Sequence, residues 1–334
     1  MINIFQWRYS FLVIPVILWL SINNVQADTT CTASMSTNTV NISNTITPVN
    51  ANDAQITATL NYSCTNNTES SKYVSVCLGV GNNDNGTSLN PRYLTASNNA
   101  KLAFAMTLPD GSFWGEDNDS VYQPPPFFIA SNATFTDSVV IKFALLPGFG
   151  NTLAMQGVYS NDFSGNHTIL TYQTTADSTP SGCETESYQQ SQFPFKVQAT
   201  VVNACKINAT SNITLGSHPA SATSFKGSNN SAIDMTCTNG APYNIGLAPS
   251  NGNINGQGVM IDTESGTHQL PYQLFSNLTD TIWGNNGNTY DTLTNGLLGT
   301  GSGTVQLHTV YVTVPNADVK PASYSDTVTV NVNY

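Results

Sequence analysis

The chain has 334 residues, with 9 Lys or Arg against 20 Asp or Glu, a formal net charge of −11, and 9% charged against 40% apolar residues. Ordinary soluble domains carry about 25% charged residues, so Asn, Thr, Ser and Gln must cover this surface. The acid excess excludes a nucleic-acid binder that works by neutralising phosphates, and the apolar content excludes charge-driven disorder.

Residues 1–27 place Arg8 ahead of the apolar run Phe11–Leu20 and end in Val25-Gln26-Ala27. An early positive charge, a core of about ten apolar residues and small residues before a cleavage point make a secretory signal. The run falls short of the ~20 residues that span a bilayer. The mature chain is expected to begin at Asp28, and disulfides are expected in an exported protein.

Six cysteines follow: Cys31, Cys64, Cys77, Cys183, Cys205 and Cys237. Six allow 15 connectivities on arithmetic alone, but Cys31 to Cys64 spans 33 positions and Cys205 to Cys237 spans 32. Those spacings belong to an internal repeat. Leu102-Ala-Phe104-Ala-Met106 ahead of Phe113-Trp114-Gly115 matches Leu270-Pro-Tyr272-Gln-Leu274 ahead of Ile282-Trp283-Gly284. Val139–Leu146 matches Val305–Val314, and Tyr159-Ser160-Asn161-Asp162 matches Tyr324-Ser325-Asp326. The repeat pairs Cys31 with Cys64 and Cys205 with Cys237, and leaves Cys77 with Cys183.

Each copy shows apolar residues alternating with polar ones in runs of five to ten, bounded by Asn, Gly, Pro and Ser. That period marks half-buried strands, and many at regular spacing predict a sandwich. The expected fold is all-β, two Ig-like sandwich domains in tandem, over 28–202 and 203–334. The copies end differently. After Tyr159-Ser-Asn-Asp162 the first copy runs through Thr168–Tyr172 and a polar segment to Phe193–Val202. After Tyr324-Ser-Asp326 the second copy supplies one strand, in which Val328, Val330, Val332 and Tyr334 form an apolar face. The second sandwich is therefore expected to lack its last strand, leaving an apolar groove and unpaired backbone groups that a strand from another chain can fill.

These residues resemble a known family. Cys205–Cys237, Tyr272-Gln-Leu274, Trp283-Gly284 and the terminal run Tyr324–Tyr334 are similar to the spore coat protein U-like domain of archaic chaperone–usher pilins, and the two-copy layout resembles tip adhesins of Csu-type pili. The resemblance implies a non-enzymatic pilus subunit with no cofactor and no metal. It would be exported through the periplasm and displayed at the pilus tip on the cell surface. Its implied partners are a periplasmic chaperone, an outer-membrane usher, an adjacent pilin that donates a strand, and an abiotic or host surface, with attachment leading to biofilm formation. Val328, Val330, Val332 and Tyr334 would contact the chaperone or donor strand. Asp28 lies three positions before Cys31, so the mature chain is expected to accept a strand without donating one, which fits the tip.

Two apolar segments of the first copy are candidate surface-binding loops, because exposed apolar groups on loops mark contact sites. One holds Tyr122, Pro125, Phe127, Phe128 and Ile129, where three prolines forbid an ordinary central strand; the other holds Phe149, Leu153 and Met155. If strand 193–202 runs antiparallel to 159–172, the 147–157 loop lies nearer the domain junction and segment 173–192 lies distally. Alternatives are a glycan-binding pilus adhesin and a structural coat or matrix protein. Catalysis lacks support: His167, His218, His268 and His308 sit singly, and Gly299-Thr-Gly301-Ser-Gly303 has no strand–loop–helix context. Glu116-Asp117-Asn118-Asp119 lacks the glycine and distal glutamate of a calcium loop.

Overall fold

A computed structural model describes residues 28–81, 90–116, 120–182 and 189–334. The predicted signal at 1–27 and most of the acidic turn at 117–119 lie outside the described residues.

The first group of strands is β1 (Thr29–Met35), β2 (Thr39–Ile46), β3 (Gln55–Asn66), β4 (Lys72–Val80), β5 (Arg92–Thr95), β6 (Lys101–Thr107), β7 (Phe127–Ile129), β8 (Thr134–Leu145), β9 (Gly157–Asp162), β10 (Thr168–Thr175), β11 (Gln189–Ser191) and β12 (Lys196–Val201). The second group is β13 (Cys205–Thr210), β14 (Phe225–Cys237), β15 (Pro242–Pro249), β16 (Gln257–Asp262), β17 (Gln269–Phe275), β18 (Leu297–Thr300), β19 (Val305–Val314), β20 (Tyr324–Ser325) and β21 (Val328–Asn333). Among the described residues the helical content is two 3-10 turns, Asn151–Leu153 and Gly165–His167.

The alternation seen in the sequence becomes burial. In β12, Val197, Ala199 and Val201 are buried and Lys196, Gln198 and Thr200 are not, as period two requires of a strand with one core face. β4 departs from this, with Val74–Val80 buried without interruption. One face meets the core, and the other is covered by the segment that follows β6. Any Cβ at Gly79 would lie 3.2 Å from Val121 and 3.3 Å from the Glu116 backbone.

The first group forms an eight-stranded sheet, in the order β1-β3-β8-β6-β5-β9-β12-β2, facing a four-stranded sheet, β11-β10-β4-β7. The second group forms a six-stranded sheet, β13-β14-β19-β17-β16-β20, and a three-stranded one, β18-β15-β21. Each pair encloses its own core, so the fold is two tandem β-sandwiches.

The repeat is visible in side-chain detail. Trp114 Nε1 donates to Leu78 O at 2.9 Å, and Trp283 Nε1 donates to Ile245 O at 2.6 Å. Tyr159 Oη donates to Met155 O at 2.8 Å, and Tyr324 Oη to Lys320 O at 2.6 Å, four residues back in both cases. Such a tyrosine corner at the start of a late strand recurs in Ig-type sandwiches. Cys31 is bonded to Cys64 and Cys205 to Cys237, each joining directly paired residues, of β1 and β3 in the first sandwich and of β13 and β14 in the second. Cys77 is also disulfide-bonded; its expected partner Cys183 lies outside the described residues.

Candidate functional site: an open groove and two apolar segments

The two sandwiches differ where their last strands should be. In the first, one kinked strand passes from sheet to sheet as β9 and then β10, and β12 and β11 lie along its outer edge. β12 pairs antiparallel with β9 and parallel with β2, so Val197, Ala199 and Val201 meet Asn161, Tyr159 and Gly157 on one side. On the other side they meet Val40, Ser43 and Ile46. β11 pairs with β10. The core closes completely: Val40, Ile42, Ile46, Leu170 and Tyr172 are all buried.

In the second, β20 and β21 repeat β9 and β10. β20 pairs with β16 and β21 with β15, and both are terminal strands of their sheets. Nothing among the described residues pairs with their outer edge. The side chains that would be sealed by a strand there are only partly buried. Val328, Val330 and Val332 pack against the core from β21, and Ile213 and Leu215 from the opposite wall. Ile207 faces inward in register with buried Met235, yet is 37% exposed. Tyr334, just beyond β21, is 55% exposed. Among the described residues this leaves an apolar trough bordered by unpaired strand edges.

The kink between β20 and β21 is held by Asp326. Its carboxylate accepts a hydrogen bond from Tyr272 Oη at 2.6 Å, and another from the Ser250 hydroxyl. Burial, together with the neighbouring Asp326, raises the Tyr272 pKa, so the phenol stays protonated and keeps donating. Lys206, the cation that β13 brings beside the groove, pairs with Thr236 and so alternates to the outer face.

β12 runs antiparallel to β9, and the 147–157 loop lies at the domain junction, as expected from that pairing. Residues 121–129 run along the edge of β4, with Tyr122 bridging Leu78 and β7 pairing Lys72–Val74. The prolines at 124–126 separate these two contacts along an edge, where a missing N–H costs least. Ile129 is 2% exposed and belongs to the core, a correction to its expected surface role. Tyr122 and Phe127 are half-buried, with Phe127 stacked on Phe135 at 3.9 Å. Phe128 is 53% exposed, edge-on to Tyr73 at 5.3 Å, and Pro125 is exposed.

The second segment points toward the C-terminal sandwich. Asn151 is buried and exchanges hydrogen bonds with the Ala103 backbone at 2.7 and 2.9 Å, fixing the base of the loop. From it Met155 bridges to Asn239, and Asn239 Nδ2 donates to Leu153 O at 2.7 Å. Leu153 and Met155 therefore sit beside the junction, although they remain 48% and 44% exposed, and Phe149 is 50% exposed. Sequence reasoning missed this contact's other half, the turns at 238–241 and 301–304. Glycines at 240, 301 and 303 were its one visible signal.

Among the described residues no three His, Cys, Asp or Glu side chains converge as a metal site. Asp262 and His268 are 2.9 Å apart, but they close a hairpin turn: the carboxylate accepts from the Ser265 hydroxyl and from backbone N–H groups of Gly266, Thr267 and His268. Those bonds hold the Asp262 carboxyl well below the usual carboxylate range.

Residues 191–331 match the family model of the Spore Coat Protein U domain. A comparison with curated proteins finds no match. Among solved structures, the chain is similar in fold to the CsuC–CsuE chaperone–tip adhesion subunit pre-assembly complex from archaic chaperone–usher Csu pili of Acinetobacter baumannii. There the identity is 15%, 91% of this chain and 100% of that chain are covered, and the TM-score is 0.50. The CupB6 tip adhesin of Pseudomonas aeruginosa matches at 11% identity over 92% of this chain and 94% of that one, with a TM-score of 0.35. CfaE, the adhesive subunit of CFA/I fimbria of enterotoxigenic Escherichia coli, matches at 12% over 88% and 92%, with a TM-score of 0.33. The first likeness speaks for the fold; the other two carry no argument. The matched stretch, 191–331, runs from β12 through the C-terminal sandwich with its paired disulfide and tryptophan anchor, and that stretch is similar to a spore coat protein U domain.

Proposed function

We propose that this chain is the tip adhesin of an archaic chaperone–usher pilus. The observation that carries the reading is the unpaired β20–β21 edge above a partly open core, in a chain whose other sandwich is closed by its own β12. A sandwich in that state needs a partner strand. A periplasmic chaperone supplies one before assembly, the outer-membrane usher passes the subunit on, and an adjacent pilin supplies one in the fibre. The domain over 203–334 is the attachment module, and the domain over 28–202 meets the target. Export through the periplasm and display at the pilus tip follow from that assembly route.

The contact chemistry is apolar. Phe128, with Pro125 beside it on an edge strand, and Phe149 on the loop near the junction are the described members of the candidate segments that present most apolar surface to water. Burying such surface is favourable and non-directional, and many fibres on one cell multiply a weak contact. This suits attachment to hydrophobic abiotic or host surfaces and the start of a biofilm. The test is adhesion of piliated cells to polystyrene. Phe128→Ser should lower retention several-fold with fibre numbers unchanged, and unchanged retention would overturn the assignment of Phe128.

A second reading rests on a depression of about 570 Å³ on the outer face of β1, β3 and β8, lined by Thr32, Ser34, Asn61, Ser63, Thr136 and Ser138. Hydroxyls and an amide in that array suit a hydroxyl-rich ligand. Saturable inhibition of adhesion by one glycan, insensitive to Phe128→Ser, would favour this glycan-binding reading.

A further inference from the structure

The family match begins at residue 191, well before the C-terminal sandwich itself. Its leading segment contains β12, which is built into the other sandwich, between β9 and β2. The family unit in this chain is thus an apolar strand followed by a sandwich, and the strand completes the neighbour that precedes it. The two halves of the chain are already a donor and an acceptor, joined covalently.

We infer that the groove along β20–β21 is selective for a strand of the β12 type: aliphatic, small, aliphatic at alternate positions, running antiparallel to β20, with the small side chain opposite Tyr324. This rests on the strand-acceptance reading above and specifies its partner: a unit built like this chain's own, with its last inserted aliphatic four positions ahead of its first cysteine, as Val201 precedes Cys205.

The register follows from the repeat. Leu78 and Ile245 accept the two indole N–H bonds and so occupy equivalent places. Leu78 pairs with Leu170 and Ile245 with Val332, which aligns β21 on β10. The corner tyrosines align Tyr324 on Tyr159. In the closed sandwich the residue paired with Tyr159 is Ala199, and both are fully buried. A phenol ring anchored by its hydroxyl to the carbonyl four residues back cannot swing aside. The strand position beside it must stay small, while Val197 and Val201 fill the space on either side. Tyr324 is anchored the same way, so it imposes the same choice on an incoming strand. Overpacking a site of this kind typically costs enough to lower affinity about tenfold or more.

The experiment uses the full mature chain and synthetic peptides of residues 189–202, read by amide exchange of residues 324–334. The natural peptide should slow exchange there. The Ala199→Phe peptide should need at least about tenfold higher concentration, and the chain carrying Tyr324→Ala should narrow that gap. Tyr324→Phe, which keeps the ring but frees it from the Lys320 carbonyl, should narrow it less than Tyr324→Ala does. Equal protection by both peptides on the unaltered chain would overturn the small-residue rule and leave strand acceptance standing. Protection by neither peptide would overturn both.

Discussion

Val330→Asp separates folding from assembly. Val330 pairs with Leu247, which is 1% exposed, but Val330 itself is only partly buried because no described residue covers it from the groove side. An aspartate there can turn its carboxylate to water, so the free chain should lose only about 1 kcal/mol. Once a strand seats, the carboxylate is enclosed with no cation on the inner walls, since Lys206 alternates outward. A buried charge without a partner costs about 3–5 kcal/mol, which corresponds to roughly a hundred- to several-thousand-fold weaker strand binding. The control is Val197→Asp, at a fully buried position of the closed sandwich, which should incur that cost at folding. The assay pairs urea unfolding of each purified chain with its yield in fibres sheared from cells. Val330→Asp should unfold close to the natural midpoint and be absent from fibres, whereas Val197→Asp should be lost at the folding stage. Natural incorporation of Val330→Asp, or a loss of fold equal to that of Val197→Asp, would refute the open-groove argument.

Acid should weaken the C-terminal sandwich through His308. It faces inward from β19, opposite Ile233, with Tyr243 Oη 3.3 Å from Nε2, and burial holds its pKa below the ordinary 6.5. The unfolded chain takes up the proton first, so stability is full above pH 6.5 and declines below it. His308→Gln should flatten the urea midpoint between pH 7 and pH 5, and an unchanged slope would refute the assignment. Asp262 has a lowered pKa and titrates in the unfolded chain near 3.8, so its share is lost only at lower pH and does not confuse that window. At the junction, a Cβ on Gly303 would lie 2.3 Å from Thr152 O, at φ 73°. Gly266 has φ 71° and open space around it. Gly266→Ala should cost only the left-handed strain of about 1–2 kcal/mol; Gly303→Ala should also displace the 147–156 loop and broaden the interdomain distribution in small-angle scattering. Equal scattering from the two variants would show that the loop contact does not hold the sandwiches together.

The fold was readable because period two survives in almost every strand, and because the copies share landmarks at matching spacings: a cysteine pair, a tryptophan that caps a carbonyl, a tyrosine corner. The unpaired β20–β21 edge among the described residues was readable too, because no run in the second copy matches Phe193–Val202 of the first. The contact residues were not. Composition marked 121–129 and 147–155 as apolar, but apolar residues on an edge strand and at a junction have the same composition as an exposed tip. Ile129 reads like Phe128 in sequence, and strand alternation buries one while it exposes the other.

The sequence by itself determined the disulfide pairing seen in β1–β3 and β13–β14 and the two-sandwich plan. Each of these follows from local period, spacing or a count of elements. Only the tertiary structure decided which apolar side chains face water, because that depends on which strand lies across from each. It alone placed the Leu153–Met155 loop against Asn239 and set Ala199 beside Tyr159. Those contacts join residues distant in the chain, and no local pattern encodes them.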